Sequence, residues 1–201
     1  MTMMETNDEL LLDSETNLSE YEKQQAGMSY DAAAPEVLKG LRHCEQECFE
    51  INQLPPDKRD ERHRRLKKLF GKTGERLTVI TPFFCDYGYH IEVGENFFAN
   101  VNCVILDETK VTFGDNVFIG PNCSFYTASH PLDAESRNAN IATAHPISVG
   151  NDVWIGGSVT VLPGVSIGNN VTIGAGSVVV HDIPDNSLAV GNPCKVIRKL
   201  G

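Results

Sequence analysis

Three things are missing from this 201-residue sequence: a long apolar run, an excess of positive charge and a C-x-x-C cysteine pair. No stretch of 18 or more apolar residues occurs, so a membrane-spanning helix is not expected. Lys and Arg number 17 against 27 Asp and Glu, and the formal charge of −10 argues against nucleic acid or an anionic membrane as the main partner. The six cysteines, Cys44, Cys48, Cys85, Cys103, Cys123 and Cys194, sit in a chain too large and hydrophobic to need a disulfide framework. They read as reduced thiols. The N-terminus "MTMMETNDELLLDSETNLSE" starts acidic where a secretory signal carries positive charge, so the expected location is the cytosol.

Composition divides the chain into three. Residues 1–25 hold seven acidic residues, one lysine and a single apolar cluster, "ELLLD", and are expected to be a mostly disordered acidic tail. Residues 26–76 are expected to be helical. Leu38, Leu41, Cys48, Phe49 and Ile51 recur at helical spacing, "LPPD" interrupts, and a second stretch carries Leu66, Leu69 and Phe70. That second helix is basic (Lys58, Arg59, Arg62, Arg64, Arg65, Lys67, Lys68), which in so acidic a chain reads as a solvated face or an anion-binding rim rather than a nucleic-acid surface.

From residue 77 onward the chain counts in sixes. "VGNDVW", "IGGSVT", "VLPGVS", "IGNNVT" and "IGAGSV" follow one another from Val149, each opening on a β-branched aliphatic residue with a small or medium residue fifth. The same frame holds in "VGENFF", "ANVNCV", "FGDNVF", "IGPNCS" and "FYTASH". A period of six fits a short strand and a tight turn, repeated, with the first and fifth residues pointing into a narrow core and Gly, Asn and Asp supplying the turns. Three such sides close one coil of a prism, and about six coils at a spacing of about 4.8 Å make a rod roughly 30 Å long. The period does not fix the handedness, and the general rule for crossovers favours the right-handed form. Cys103 and Cys123 take fifth positions and are expected to be buried packing residues.

The frame breaks once. His130 ends "FYTASH" and the count resumes at Val149, so residues 131–148 are expected to loop out of the prism immediately after a histidine. From the residues alone, His130 is either a strand cap at a loop base or a general base.

Four stretches decide more. "CDYGYHIEVGENFFANVNCVILD" (85–107), "YTASHPLDAESRN" (126–138), "PISVGNDVWIGG" (146–157) and "DIPDNSLAVGNPCKVIRKL" (182–200) resemble the maltose and galactoside O-acetyltransferases, with the nodulation acetyltransferase, among the hexapeptide-repeat acyltransferases. The resemblance runs from about Ala26 to the C-terminus and leaves the acidic tail outside. It implies a left-handed parallel β-helix, a homotrimer with active sites between subunits, and transfer of acetyl from acetyl coenzyme A to a sugar or glycoside hydroxyl by direct attack, without a metal. His130 is then the general base and the backbone N–H of Gly157 the oxyanion donor, where the sugar enzymes often carry serine. Asp86, Asn100, Asp107 and Glu108 match the sugar pocket. Asp31 is displaced by one position from a pocket aspartate whose matching site is Ala32, and Arg42 aligns loosely with a pocket arginine. Trp154, Ala175, Val180, His181, Lys195 and Arg198 match the coenzyme A groove.

Two other readings fit the repeat. β-helix carbonic anhydrases share it but need three histidines around a metal, and His90, His130 and His145 lack the close spacing that site requires. A non-catalytic scaffold, or an acetyltransferase acting on a non-sugar acceptor, is the alternative to a sugar enzyme.

Overall fold

Each hexad becomes one short strand and one corner. The structure, a computed structural model, describes residues 17–201. One face of the prism stacks Ile91–Val93, Val111–Phe113, Ile147–Val149 and Ser166–Ile167. The second stacks Leu77–Val79, Phe97–Ala99, Val117–Ile119, Val153–Ile155, Val171–Ile173 and Ser187–Val190, and the third Phe83–Cys85, Cys103–Leu106, Ser124–Tyr126, Thr160–Val161 and Val178–Val179. All these pairings are parallel and in register, as in Val153↔Val117 and Ile155↔Ile119. The expected parallel β-helix is present.

The core is built as the period predicts. Phe113, Ile119, Phe125, Val149, Ile155, Val161, Ile167 and Ile173 open their hexads and are buried, and Phe97, Phe113 and Phe125 stack at ring separations of 5.2 and 5.1 Å. Cys103 and Cys123, at fifth positions, are fully buried. Corners repeatedly place an Asn or Asp in the left-handed region, among them Asn96, Asn102, Asn116, Asn122, Asp152, Asn170 and Asn186 with φ between 51° and 59°. These short side chains tolerate that backbone and bond to their counterparts in the next coil, as Asn102 Nδ2 does to Asn122 Oδ1 at 2.9 Å.

Coil length departs from three hexads in the first turns. Asn96 stacks on Asn116 and Asn102 on Asn122, each 20 residues on, whereas Asn151 stacks on Asn169 after 18. The surplus lies at one corner, between the third face and the first, around Asp86–His90 and then Asp107–Lys110. In the next coil that corner opens into the excursion after Tyr126. There Ala128–Ser129 pairs antiparallel with Ile141–Ala144, and a short helix spans Ala134–Asn138 between them.

Helices cap the wide end of the prism. We label them α1 (Glu20–Gln25), α2 (Pro35–Asn52) and α3 (Arg59–Leu69). α2 begins with Pro at its first turn and buries Val37, Cys44, Cys48 and Ile51, and α3 buries Leu66 and Leu69 beneath its basic face. The expected pair of helices is therefore joined by a third, inside the stretch read as disordered. Residues 1–16 of that stretch lie outside the described residues. α1 forms because Ser19 and Glu22 close a capping box at its start and because its polar side chains find partners. Buried Gln24 reaches the Tyr87 hydroxyl at 3.4 Å, Gln25 donates to the Glu108 carbonyl at 2.8 Å, and the Tyr21 hydroxyl meets His90 Nε2 at 2.9 Å. Among the described residues no helix is long and apolar enough to cross a membrane.

Net hydrogen bonds of this kind contribute about 0.5–1.5 kcal/mol each. Removing residues 1–25 is expected to lower the melting temperature by several degrees, measured by thermal unfolding beside the full chain. An unchanged midpoint would mean that α1 only rests on the prism.

Candidate active site

The corner that takes up surplus residues gathers most of the polar groups singled out in the sequence. Asp86, Glu108 and Thr127 follow one another up the stack, and the strand leading to His130 leaves from the top. Thr127 Oγ1 donates to the Leu106 carbonyl at 2.8 Å and lies 3.1 Å from Glu108 Oε2. Burial first, then the charge of nearby Glu108, push the Asp86 carboxyl up to about 9. With its carboxyl raised in this way, Asp86 can donate as well as accept.

Asp107 differs from the expectation that it lines a pocket. It is fully buried, and its Oδ1 accepts from the backbone N–H groups of Asp86 and Tyr87, each at 2.9 Å. Its work is to hold the preceding coil's corner in shape, and it is closed off from an acceptor. His90 beside it is also structural. Its Nδ1–H donates to the Asp107 carbonyl, Nε2 accepts from Tyr21, and burial holds the ring below the usual histidine range.

His130 is exposed at the base of the excursion. Its Nδ1 lies 3.0 Å from the Ile141 carbonyl oxygen, which can only accept, so Nδ1 carries the hydrogen and Nε2 presents a free lone pair. The same strand fixes Asp31: Tyr30–Asp31 pairs antiparallel with Ile141–Ala142, placing Asp31 directly opposite Ile141. Glu20 Oε2 accepts from the Asp31 N–H at 2.6 Å, while Asp31 Oδ1 is occupied by the Ala33 N–H at 2.8 Å. Ile141 and Glu20 were not singled out in the sequence. A carbonyl carries no residue-type signal, and Glu20 lay in the stretch read as a tail.

The remaining candidates lie elsewhere on the protomer. Asn100 and Gly157 sit at the corner between the second and third faces, with Asn100 Oδ1 accepting from Val101 N–H at 2.8 Å. Among the described residues no carbonyl accepts from the Gly157 N–H. Trp154 stands 60% exposed on the second face, in register with outward Phe118, which is in turn in register with Phe98. The last strand, Lys195–Lys199, returns antiparallel along that face. A bulge opposite Leu188 and Ala189 sets Lys195 against Val190 and Arg198 against Leu188, so the two cations share one side although three residues apart. Ala175 is exposed at the corner above Gly157, and Val180 and His181 follow the last strand of the third face. Arg42 is exposed on α2, and no polar partner meets it among the described residues.

Known proteins share both the cap and the prism. Residues 23–74 match the maltose acetyltransferase hexapeptide capping motif, and residues 146–181 match the bacterial transferase hexapeptide of six repeats. A maltose O-acetyltransferase from Clostridium difficile 630 superposes with a TM-score of 0.90 at 46% identity, covering 92% of this chain and 98% of that one. The chain belongs to the hexapeptide-repeat acetyltransferase family. A galactoside acetyltransferase solved with coenzyme A gives a TM-score of 0.89 at 38% identity, over 92% of each chain. A hexapeptide-repeat acetyltransferase of Vibrio cholerae, complexed with acetyl coenzyme A, gives 0.82 at 38% identity over 92% of this chain and all of that one.

Gly157 of this acetyltransferase has little room to move. A Cβ on Gly120, one coil below, would stand 2.6 Å from the Gly157 nitrogen. Gly120→Ala is therefore expected to displace that turn and lower acetyl-transfer turnover at least tenfold, with a smaller effect on melting temperature. Steady-state kinetics and thermal unfolding on the same preparation check this, and unchanged turnover would remove the turn from the reaction.

Proposed function

We propose that this acetyltransferase moves acetyl from acetyl coenzyme A to a hydroxyl of a sugar or glycoside, of the maltose, glucose or galactoside type, in active sites between the subunits of a homotrimer. The observation that carries the reading is the tautomer of His130. An imidazole whose Nδ1–H is held by a backbone carbonyl offers Nε2 as a base, and it does so beside a corner that can both donate and accept hydrogen bonds.

In this reading Nε2 takes the proton of the acceptor hydroxyl as that oxygen attacks the thioester carbonyl. The Gly157 N–H faces the oxygen where negative charge develops, a role that main chain fills without a serine side chain. His130 then returns the proton to the leaving thiolate. Asp86, Glu108, Asn100 and Asp31 orient the acceptor through its hydroxyls, and Arg42 stands too far into solvent to join them without a neighbouring copy. No acyl-enzyme forms, since Cys103 and Cys123 are buried in the prism.

The support for coenzyme A is its presence in two of the similar structures together with the geometry of the second face. Lys195 and Arg198 offer paired cations for phosphate oxygens, Trp154 offers a flat apolar wall, and Ala175, Val180 and His181 lie at the ends of neighbouring strands in the same coils. Within one protomer His130 and Gly157 occupy different corners, so one reaction uses both only if a neighbouring copy supplies the second. A trimer does this and covers the exposed Phe118 and Trp154. The acidic chain is expected to work in the cytosol, on a small acceptor and without nucleic acid.

Thiol release from acetyl coenzyme A, measured with a panel of mono-, di- and oligosaccharides and aryl glycosides, tests the reaction. Release is expected to require a sugar and to fall roughly 10²–10⁴-fold in His130→Ala, whose melting temperature stays within a few degrees of the parent. Release with full rate in that variant removes the base. Coenzyme A binding without release on any sugar points instead to a non-sugar acceptor or a scaffold.

A further inference from the structure

Three thiols meet at the seam between the helical cap and the first coil of the prism. Cys44 and Cys48 lie one turn apart on the buried side of α2, and Cys85 ends the strand Phe83–Cys85 beneath them. Their sulfurs stand 3.9 Å (Cys44–Cys48), 3.4 Å (Cys44–Cys85) and 3.7 Å (Cys48–Cys85) apart. All three side chains are buried.

These separations match a coordination sphere. A tetrahedral zinc ion with Zn–S bonds of about 2.3 Å has sulfur–sulfur edges of about 3.8 Å. A disulfide needs about 2.05 Å between one chosen pair and would strand the third sulfur. The geometry points to a thiolate site for one zinc-class divalent ion, held by Cys44, Cys48 and Cys85 and pinning α2 to the first coil. Cys103, Cys123 and Cys194 form no such group among the described residues.

Two further features fit a cation there. Asp107, at the Asp86 corner one coil on, is fully buried, and its Oδ2 finds no hydrogen-bond partner among the described residues. The site also has an entry path, because Cys48 and Cys85 open on a groove of about 820 Å³ between α2 and the strand, where Asp86 stands beside them. The fourth position faces this groove and takes water. The arriving ion displaces a proton from each thiol that still holds one.

The site has no part in the acetyl-transfer steps described above, and its test reads metal rather than turnover. The tag-free full chain, purified under reducing conditions, is analysed for metal, then stripped and titrated with zinc and with cobalt(II). One equivalent of zinc per chain is expected, together with the thiolate charge-transfer band and intense visible bands of tetrahedral cobalt. Zinc is expected to raise the melting temperature of the parent and of Cys103→Ser, but not of Cys44→Ser or Cys85→Ser. Should those variants fail to fold, the cobalt spectrum of the parent decides alone. Stripped protein that takes neither ion and shows three free thiols overturns the site, as does a Cys44–Cys85 disulfide found by mass spectrometry. Uptake of copper(I) with no uptake of zinc or cobalt overturns the zinc assignment.

Discussion

A prism with three flat faces closes only if each of its corners turns within a few residues and hands the chain to the next strand in register. That constraint governs everything else here. Inward positions must be filled coil after coil by side chains that fit one narrow core, where residues of all three faces meet, as Phe113 does with Phe97 and Phe125. Two of the corners obey strictly, with a left-handed Asn, Asp or Ser repeated up the stack. The third corner takes all the surplus, first as Asp86–His90, then as Asp107–Lys110, then as the excursion that carries His130. The surplus residues are confined to the corner where the repeat can be interrupted without disturbing the pairing on either side.

The interruptions are built from the constraint rather than added to it. Asp107 uses one carboxylate oxygen to bind two backbone N–H groups of the coil below, which fixes the Asp86 corner that a simple hexad could not make. Thr127 ties the next coil to the Leu106 carbonyl and to Glu108. Asp86 is therefore held through its backbone and Glu108 through Thr127, and α1 closes over this corner from outside through Gln24 and Gln25. Burial, then the charge of Glu108, raise the Asp86 carboxyl, which lessens the repulsion between acidic groups gathered at this corner.

How much of this the sequence showed depends on whether the signal was periodic. The hexads gave the strands, the core and the place of the excursion, because a column of stacked side chains writes itself into the chain at fixed intervals. The longer coils were hidden, since two residues inserted at a corner look like noise in a count of six. α1 was missed because its signature is only a capping box, "SEYE", with no apolar stripe behind it, and its stability comes from contacts made after folding. The bulge that brings Lys195 and Arg198 to one side of the last strand has no signal in their spacing of three. The cysteine cluster joins a helical spacing of four to a strand 37 residues further on, a pairing that no local window contains.

The separation of His130 from Gly157 follows from the same geometry. His130 on the corner between the third and first faces, and the Gly157 N–H, unpaired among the described residues, on the corner between the second and third, cannot approach one atom across the width of a packed prism. No side-chain rearrangement closes that gap, because the chain is fixed on both sides, by Ser158 N–H to the Pro121 carbonyl of the neighbouring coil at 2.8 Å and by His145 N–H to the Thr127 carbonyl across the base of the excursion at 2.8 Å. Catalysis by this pair therefore requires a second protomer set against the first. The outward ladder of Phe98, Phe118 and Trp154 supplies an apolar surface on which such a neighbour can be seated. The rigidity that keeps the two groups apart in one chain is also what would hold them at fixed distance once two chains meet.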